Sequence, residues 1–402
     1  MKRRNLLLAF ALIGLFLAAG RFYFRSYVHQ KPFAIILFVA EGLTPAKLAS
    51  ARQYSGGADA RLALESFPHL ALLRNAAADF AVPDSAAAAS AIATGARTRL
   101  RFLGIDSNNK AVGTLIDLAS NEGRATGLVT NAWLTDAGAA AFYAKSRDAR
   151  DTENVARQLA ENEKLDLIIG GGAVDFRGTL KGGRRQDARD LDLEMQRAGF
   201  TLARNAPDLD SIVPLSLPRV LGLLADEDIG GPGAPSLPDL VRRAIEVLQV
   251  RPRGYLLVVH AGQIERASRA NESERMLQRI VELDRAVAVA RQYAGEKAML
   301  IVAGLQETGG FTMNGYPLRS DKGVALLGIN PTSNLPSFTW ATGPNGRQDA
   351  DGMAKSDPAA AYSLTAVGAT SDVLAFGLGQ GSEALSGVVD NTVVFDLVRL
   401  QL

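Results

Sequence analysis

The chain has 402 residues, of which 47% are hydrophobic and 21% are charged, a balance typical of a globular protein and not of a disordered one. Its 44 basic and 42 acidic residues are interspersed along the chain and leave a formal net charge of +2. With no basic block and no aromatic–basic stripe, the sequence gives nucleic-acid binding no support. Cysteine is absent, which excludes a disulfide framework and thiol chemistry.

The N-terminus begins with basic residues 2–4 and continues into the apolar run LLLAFALIGLFLAAG at residues 6–20. This pattern is typical of a secretory signal. The run is short for a transmembrane helix, but the aromatic and basic residues 21–25 favour an uncleaved membrane anchor. We therefore expect residues 1–30 to be a signal peptide or anchor, and residues 31–402 to lie on the exported, periplasmic or extracellular side.

Apolar runs rich in β-branched residues alternate with amphipathic helical patterns beyond residue 33. Continuous apolar strands are typical of a parallel sheet covered on both faces. The alternation therefore predicts an α/β sandwich with a central, mostly parallel sheet flanked by helices. The predicted strands cover residues 34–39, 125–131, 165–172, 254–262 and 298–304, and the predicted helices cover residues 112–123, 151–162, 235–249 and 272–296.

Two stretches interrupt this alternation. Residues 204–236 are rich in Pro, Gly and Leu and predict a surface excursion, whereas residues 311–360 hold many Gly, Pro, Asn and Asp residues and predict long loops. The sequence shows no internal repeat. One domain over residues 31–402, with loop insertions near these two stretches, is the simplest interpretation.

The stretch VPDSAAAASAIATG at residues 82–95 places Asp84 and Ser85 directly before an alanine-rich helical pattern. Asp and Ser favour helix N-caps, because their side-chain oxygens accept hydrogen bonds from the free N–H groups of the first turn. On this stretch alone, a capping role for Ser85 is the simpler interpretation. The alternative is a nucleophile, which a base or a metal must activate.

An ordered set of motifs covering roughly residues 33–398 resembles the alkaline phosphatase family. In the family's order, the motifs are VPDSAAAASAIATGARTR, ATGLVTN with TDAGAAAFYAKSR, LDLIIGGG, PSLPDLVRRAIEVL, GYLLVVHAGQIERASRAN, ETGGF and SDVLAFGLGQGSEALSGVVDNT. Each motif is weak alone, but the ordered set is specific. The resemblance implies the alkaline phosphatase fold, with Ser85 at the nucleophile position and a capping role retained beside it.

The family resembled here uses two zinc ions and one magnesium ion, and an arginine that grips the phosphoryl oxygens. Counting back from the helix NVARQL, Arg150 fits the place of this arginine better than Arg147 does. The resemblance thus puts Ser85, Asp84 and Arg150 at catalytic positions. Arg150 and Arg269 are the expected phosphate-binding residues.

Most zinc-ligand positions that the resemblance implies are substituted in this chain. Where the family carries an aspartate and, four residues later, a histidine, the chain has Glu265 and Arg269. The family's Asp-His pair falls on Gly304 with Leu305 (shifted by one residue if Gln306 is an insertion), and its last histidine falls on Gly368. Separately, the family's hydroxyl ligand after the Asp136 position falls on Gly138. Because zinc needs three or four His, Cys or carboxylate ligands, a two-zinc site is not expected.

Two features indicate that the family's metal ligands have been replaced by other interacting groups and not simply lost. Glu265 and Arg269 are spaced i, i+4, which allows a salt bridge on a helix and leaves a fixed positive charge at the site. Glu41, Asp136 and His260 fall on positions that surround the family's magnesium site, and together they could hold one divalent cation, Mg or Zn. The simpler alternative is that these three side chains hydrogen-bond one another, and no cofactor is then expected.

These observations lead to an exported, alkaline-phosphatase-like protein that has lost metal-dependent catalysis. Its expected role is to bind a phosphorylated or anionic ligand, or to serve as a homodimer or subunit of an assembly, with membrane contact through its N-terminal segment. The alternative is residual metal-dependent phosphomonoesterase or phosphodiesterase activity with Ser85 as the nucleophile. Loss of a two-metal clamp removes several kcal/mol of transition-state stabilisation, and about 1.4 kcal/mol is tenfold in rate.

Overall fold

The computed structural model describes residues 10, 12–17, 20, 33–57, 59–314, 335–345 and 357–402. The chain divides into two units, Met1–Pro32 and Phe33–Leu402. In the first unit, the described residues are helical. Within the described ranges, no helix has both the length and the apolar character that crossing a bilayer requires. The signal peptide or anchor at residues 1–30 falls largely outside the described residues and stays a prediction.

The second unit alternates strands and helices. Its strands are β1 (Ala34–Ala40), β2 (His69–Arg74), β3 (Ala125–Trp133), β4 (Leu167–Gly171), β5 (Phe200–Ala203), β6 (Arg219–Leu223), β7 (Tyr255–Ala261), β8 (Met299–Gly304), β9 (Glu307–Thr308), β10 (Thr312–Met313), β11 (Phe338–Gly343), β12 (Ala359–Tyr362), β13 (Gly368–Ala369), β14 (Val373–Leu378) and β15 (Ser386–Asp390).

Its helices are α1 (Pro45–Gly56), α2 (Ser85–Thr94), α3 (Leu115–Asn121), α4 (Ala137–Ala140), α5 (Thr152–Ala160), α6 (Leu191–Arg197), α7 (Ala206–Ser211), α8 (Leu237–Leu248), α9 (Gln263–Arg269), α10 (Ser273–Ala294) and α11 (Val393–Gln401). Short 3-10 turns lie at Ala63–Ser66, Ala173–Phe176, Thr179–Lys181 and Pro214–Ser216.

Ten of the described strands form one sheet in the order β15-β2-β14-β8-β1-β7-β3-β4-β6-β5. Strand β14 is antiparallel to both of its neighbours, β2 and β8. The other neighbouring pairs of this sheet are parallel. This arrangement confirms the predicted central, mostly parallel sheet.

Helices cover both faces of the sheet, as the continuous apolar strands predict. All seven residues of β1 are buried, and successive side chains of a strand point to opposite faces. Ile36 and Phe38 join the core that contains α8 and α10. Ile35 and Leu37 join the core that contains α2 and α3. The sandwich therefore has two apolar layers with the sheet between them.

Part of the predicted surface excursion at residues 204–236 is instead a strand of the central sheet. Strand β6 lies between β4 and β5, and four of its five residues are buried. The prediction is wrong here because the apolar run is short and Pro- and Gly-rich sequence surrounds it. Within residues 311–360, β10, β11 and β12 form a small separate sheet, and residues 315–334 and 346–356 lie outside the described residues.

Four adjacent parallel strands, β8, β1, β7 and β3, bring chemistry-bearing residues to one edge of the sheet. Glu41 directly follows β1, and His260 is the penultimate residue of β7. Gln306 follows β8 by two residues, and Asp136 follows β3 by three. The carboxyl edge of an open α/β sheet is where ligands bind. The fold therefore gathers these residues from distant parts of the chain at one place on the sheet edge, here called the cleft.

Candidate functional site

Helix α2 presents Ser85 to the cleft, while the preceding residue caps the helix. Asp84 Oδ1 accepts a hydrogen bond from Ala87 N at 2.8 Å, and Asp84 Oδ2 accepts one from Arg101 N at 2.7 Å. The expected capping role of Ser85 is wrong, because Ser85 is the first residue inside the helix. Its hydroxyl is therefore available to other partners.

The Ser85 hydroxyl lies between an amide and a carboxylate. Gln306 Nε2 donates to Ser85 Oγ at 3.0 Å, and Ser85 Oγ donates to Glu265 Oε1 at 3.3 Å. Gln306 Nε2 also donates to Glu265 Oε1, at 3.1 Å, which closes a triangle of hydrogen bonds. Ser85 is 8% exposed and Gln306 is 2% exposed. The triangle fixes the hydroxyl at the floor of the cleft.

Helix α9 carries the ion pair that the i, i+4 spacing predicts. Arg269 Nη2 and Nε lie 2.6 and 3.0 Å from Glu265 Oε1. The Arg269 side chain is 44% exposed, whereas that of Glu265 is 17% exposed. The predicted salt bridge is confirmed, and it puts a guanidinium group at the mouth of the cleft with its carboxylate partner directed inward.

Glu41 and His260 face each other in the interior. His260 Nδ1 is 3.0 Å from Thr130 Oγ1, and His260 Nε2 is 3.7 Å from Glu41 Oε1, which is too long for a hydrogen bond. Burial, followed by the nearby Glu265 carboxylate, holds the pKa of Glu41 well above its usual range, although the neighbouring Ser85 hydroxyl opposes this shift. Burial lowers the pKa of His260. Both groups therefore favour their uncharged forms.

Asp136, the third residue of the predicted cation site, is held by an arginine. Arg266 Nη2 lies 2.8 Å from Asp136 Oδ2 and 3.0 Å from Oδ1, and Arg266 Nε lies 2.7 Å from Asp228 Oδ2. In the part of the chain that the structure describes, no three His, Asp or Glu side chains are grouped so that they could hold a metal ion. The single-cation site stays a prediction, with Glu41 and His260 as the two residues that the fold brings together.

A buried lysine beside the cleft was not predicted from the sequence. Lys47 is fully buried, and its Nζ lies 3.1 Å from Glu307 Oε2, Ser268 Oγ and the carbonyl oxygen of Thr308. It also lies 5.4 Å from the centre of a Trp340 ring. Burial lowers the pKa of Lys47, and the Glu307 carboxylate opposes that shift.

The family model for alkaline phosphatase matches residues 33–402. The chain belongs to the alkaline phosphatase family. Alkaline phosphatase 4 of Drosophila melanogaster is 28% identical over 373 residues, which cover 77% of this chain and 62% of that protein. The Escherichia coli alkaline phosphatase is 27% identical, over 69% of this chain and 70% of its own.

A solved alkaline phosphatase from Thermus thermophilus has the same fold, with a TM-score of 0.74 and 22% identity over 93% of this chain and 92% of that chain. The structure of the enzyme from the Antarctic bacterium TAB5 gives a TM-score of 0.73 over 92% of this chain and 98% of that chain, also at 22% identity. Among the curated relatives, the chain spans 62% of the Drosophila protein and 51% of alkaline phosphatase 4 of Bacillus subtilis.

The donor groups of this alkaline phosphatase family member do not fit a resident two-zinc centre. At the zinc position, a guanidinium group lies on the carboxylate of Glu265, where it repels an incoming cation. At the predicted single-cation site, a second guanidinium group lies on Asp136 and has the same effect. A Cβ atom on Gly138, the position of the family's hydroxyl ligand, would lie 2.4 Å from His260 Nε2 and 3.0 Å from Glu41 Oε1. The imidazole thus occupies the space that such a ligand needs.

The segment after β8 shows which residue faces the nucleophile position. A Cβ atom on Gly304 would lie 2.5 Å from Val373, and Leu305 is buried in the apolar core. Gln306 is the residue of this segment that contacts Ser85. A search for zinc ligands does not select Gln306, because an amide is not among the ligand types that zinc prefers. Its position directly before the motif ETGG is the only sequence signal for a role at this site.

Arg150 lies on the surface, with 70% of its side chain exposed. Its Nη2 and Nε contact Asp148 at 2.9 and 3.0 Å, and its described hydrogen bonds are all with that neighbour. The phosphate-binding role of Arg150 therefore stays a prediction. Arg269 is the arginine that the fold places next to Ser85, through their shared partner Glu265.

Proposed function

We propose that this chain binds a phosphorylated or anionic ligand in the cleft around Ser85 and does not hydrolyse it. The observation that carries the proposal is the hydrogen-bonded triangle of Ser85, Gln306 and Glu265. The Glu265 carboxylate is already ion-paired with Arg269, and Glu41 is not free to accept a proton because burial favours its protonated form. A serine hydroxyl needs a strong base or a metal to become a nucleophile.

The same cleft has features that attract an anion. Arg269 is half-exposed at the mouth, and a guanidinium group is well suited to phosphate oxygens. Ser85 is the first residue of the ten-residue helix α2, whose N-terminus carries partial positive charge. An anion held between these two elements would displace Arg269 from part of its contact with Glu265.

The alternative is residual phosphomonoesterase or phosphodiesterase activity with Ser85 as the nucleophile. One observation favours it: Ser85 Oγ donates its hydrogen bond to a carboxylate, Glu265, which could accept the proton. In its metal-dependent form, this alternative needs a divalent cation at Glu41, Asp136 and His260. The engagement of Asp136 by Arg266 weighs against that form.

One experiment on the full chain tests the proposal with two readouts. A chromogenic phosphate ester is offered with zinc and magnesium, to the wild type and to Ser85→Ala in parallel. We expect no turnover above that of Ser85→Ala, and turnover that disappears in this variant contradicts the loss of catalysis.

The second readout is calorimetric titration of the same proteins with inorganic phosphate. We expect Arg269→Ala to weaken binding about tenfold or more, since a charge-assisted hydrogen bond contributes about 1.5–3 kcal/mol. Arg157→Ala is the matched control, because Arg157 also forms an i, i+4 pair at 2.6 Å, with 41% of its side chain exposed. Equal phosphate affinity in the wild type and in all variants would contradict the proposal that this cleft binds an anionic ligand.

Export belongs to the same proposal. Its support is the basic N-terminus followed by the apolar run at residues 6–20. Membrane attachment through this segment, and a role as a homodimer or subunit of an assembly, are further parts of the proposal that follow from the sequence.

A further inference from the structure

Three carboxylates around the cleft each have a side-chain cation as a direct partner. They lie beyond the carboxyl ends of three different strands: Glu265 after β7, Asp136 after β3 and Glu307 after β8. The pairs are Glu265 with Arg269 at 2.6 Å, Asp136 with Arg266 at 2.8 Å, and Glu307 with Lys47 at 3.1 Å.

Carboxylates gathered in a site of low polarity repel one another strongly unless positive charge lies close to them. In a metal-dependent phosphatase, bound cations supply that charge. Here the positive charge is covalently part of the chain. Lys47 is fully buried and Glu307 is almost fully buried, so that pair is desolvated as a metal–carboxylate contact would be.

We infer that Lys47, Arg266 and Arg269 are the built-in counter-ions of this cleft, so that the fold needs no divalent cation to hold its carboxylates together. Each cation reaches its carboxylate from a helix, α1 for Lys47 and α9 for the two arginines. The arginines Arg266 and Arg269 are adjacent on one side of α9, separated by a single turn, and reach different carboxylates. One helix thus neutralises two acidic positions.

The inference concerns the same cleft as the proposed function but does not depend on it. Its tests contain no phosphate and no substrate, and they measure unfolding. A protein that binds no phosphate could still satisfy the inference, and a metal-dependent fold could still bind phosphate. An experiment can therefore contradict the counter-ion inference without contradicting the proposed ligand binding, and the reverse.

The first test is thermal unfolding of the full chain after dialysis against a chelator, and then with zinc or magnesium alone. We expect the midpoint to stay the same within about 1 °C in all three conditions. An ion bound at about 100 times its dissociation constant raises the midpoint by about 3 °C or more. A midpoint that falls on chelation and is restored by zinc or magnesium overturns the inference.

The second test compares Arg269→Ala with Arg157→Ala, whose i, i+4 pair with Glu161 lies on the surface of α5. Arg269→Ala leaves Glu265 beside Glu41 without its counter-ion. We expect its midpoint to fall by about 3 °C or more and zinc to recover part of the loss, whereas Arg157→Ala should show neither effect.

Adding Glu265→Gln to Arg269→Ala removes the unpaired carboxylate, and the zinc response should disappear with it. If Arg269→Ala and Arg157→Ala respond equally to zinc, Arg269 is not a counter-ion of the cleft. The wild-type chelation test stands even where a variant does not fold.

Discussion

Glu41 is a carboxyl group that the fold withdraws from water at the point where β1 ends. It is 1% exposed and lies beside His260. Both burial and the Glu265 carboxylate disfavour its ionised form, so its pKa is raised. A group of this kind contributes less to stability as the pH rises above its unfolded pKa, because the unfolded chain then releases the proton that the folded chain still keeps.

Glu41→Gln should therefore stabilise the chain at about pH 8, and this gain should shrink towards about pH 5. The folded state keeps a proton on Glu41 that the unfolded state releases above about pH 4.5, so wild-type stability falls as the pH rises through that interval. Each unit of pKa shift corresponds to about 1.4 kcal/mol. Urea unfolding at both pH values measures the effect, with the exposed Glu163→Gln as the control. A large loss of stability in Glu41→Gln at about pH 8 would contradict the protonated state.

The cleft residues that the sequence reveals are those whose type or spacing carries a signal. Ser85 follows a capping aspartate, and Glu265 with Arg269 has helical spacing. Lys47 gave no such signal, because a lysine in the first turn of a helix is usually solvated. Arg266 was missed because its partner Asp136 is 130 positions away in the chain. Pairing between distant residues is set by the fold and cannot be read from a local pattern.

At the scale of single elements, helix α2 is capped by Asp84, which leaves the Ser85 hydroxyl free to contact other side chains. Asp84 accepts two backbone hydrogen bonds, so Asp84→Ala should cost about 1–2 kcal/mol. Ser85→Ala should cost clearly less, because Gln306 remains bonded to Glu265 when the hydroxyl is gone. Urea unfolding of both variants checks the order. If Ser85→Ala costs as much as Asp84→Ala, the Ser85 hydroxyl is a structural group.

The strands differ in how well the sequence predicts them. The five predicted strands correspond to β1, β3, β4, β7 and β8, with ends that differ by at most two residues. These lie in the middle of the sheet, where both faces are covered and apolar runs are continuous. Strands β2 and β15 lie at one margin of the sheet and carry exposed apolar residues, among them Leu70 and Val388. Their pattern is weaker, and their pairing joins distant parts of the chain.

At the scale of the whole molecule, Lys47 links several parts of the second unit. Its ammonium group contacts α9 through Ser268, β9 through Glu307 and Thr308, and the small sheet through Trp340 of β11. Lys47 belongs to α1 in the first half of the sequence, and these three elements belong to the second half. The lysine therefore fixes the cleft relative to the small sheet.

Lys47→Met should lower the free energy of unfolding by about 3–5 kcal/mol, because it leaves the Glu307 carboxylate buried without its counter-ion. The double variant Lys47→Met with Glu307→Gln should recover part of that loss, since no buried charge remains. Urea unfolding of the single and double variants gives the coupling between the two residues. Equal stability of Lys47→Met and the wild type would show that the pair contributes nothing.

Gly138 has a consequence for any attempt to engineer a metal centre back into this protein. A side chain there collides with the His260 imidazole, so His260 would have to change first. If a glutamate replaced His260 to supply a carboxylate ligand, it would place a second carboxylate beside Glu41 with no cation yet between them. Replacing Arg269 by histidine would likewise leave Glu265 uncompensated until zinc arrives. Each of these single substitutions therefore gives a variant less stable than its parent until a metal binds, so the substitutions have to be introduced together.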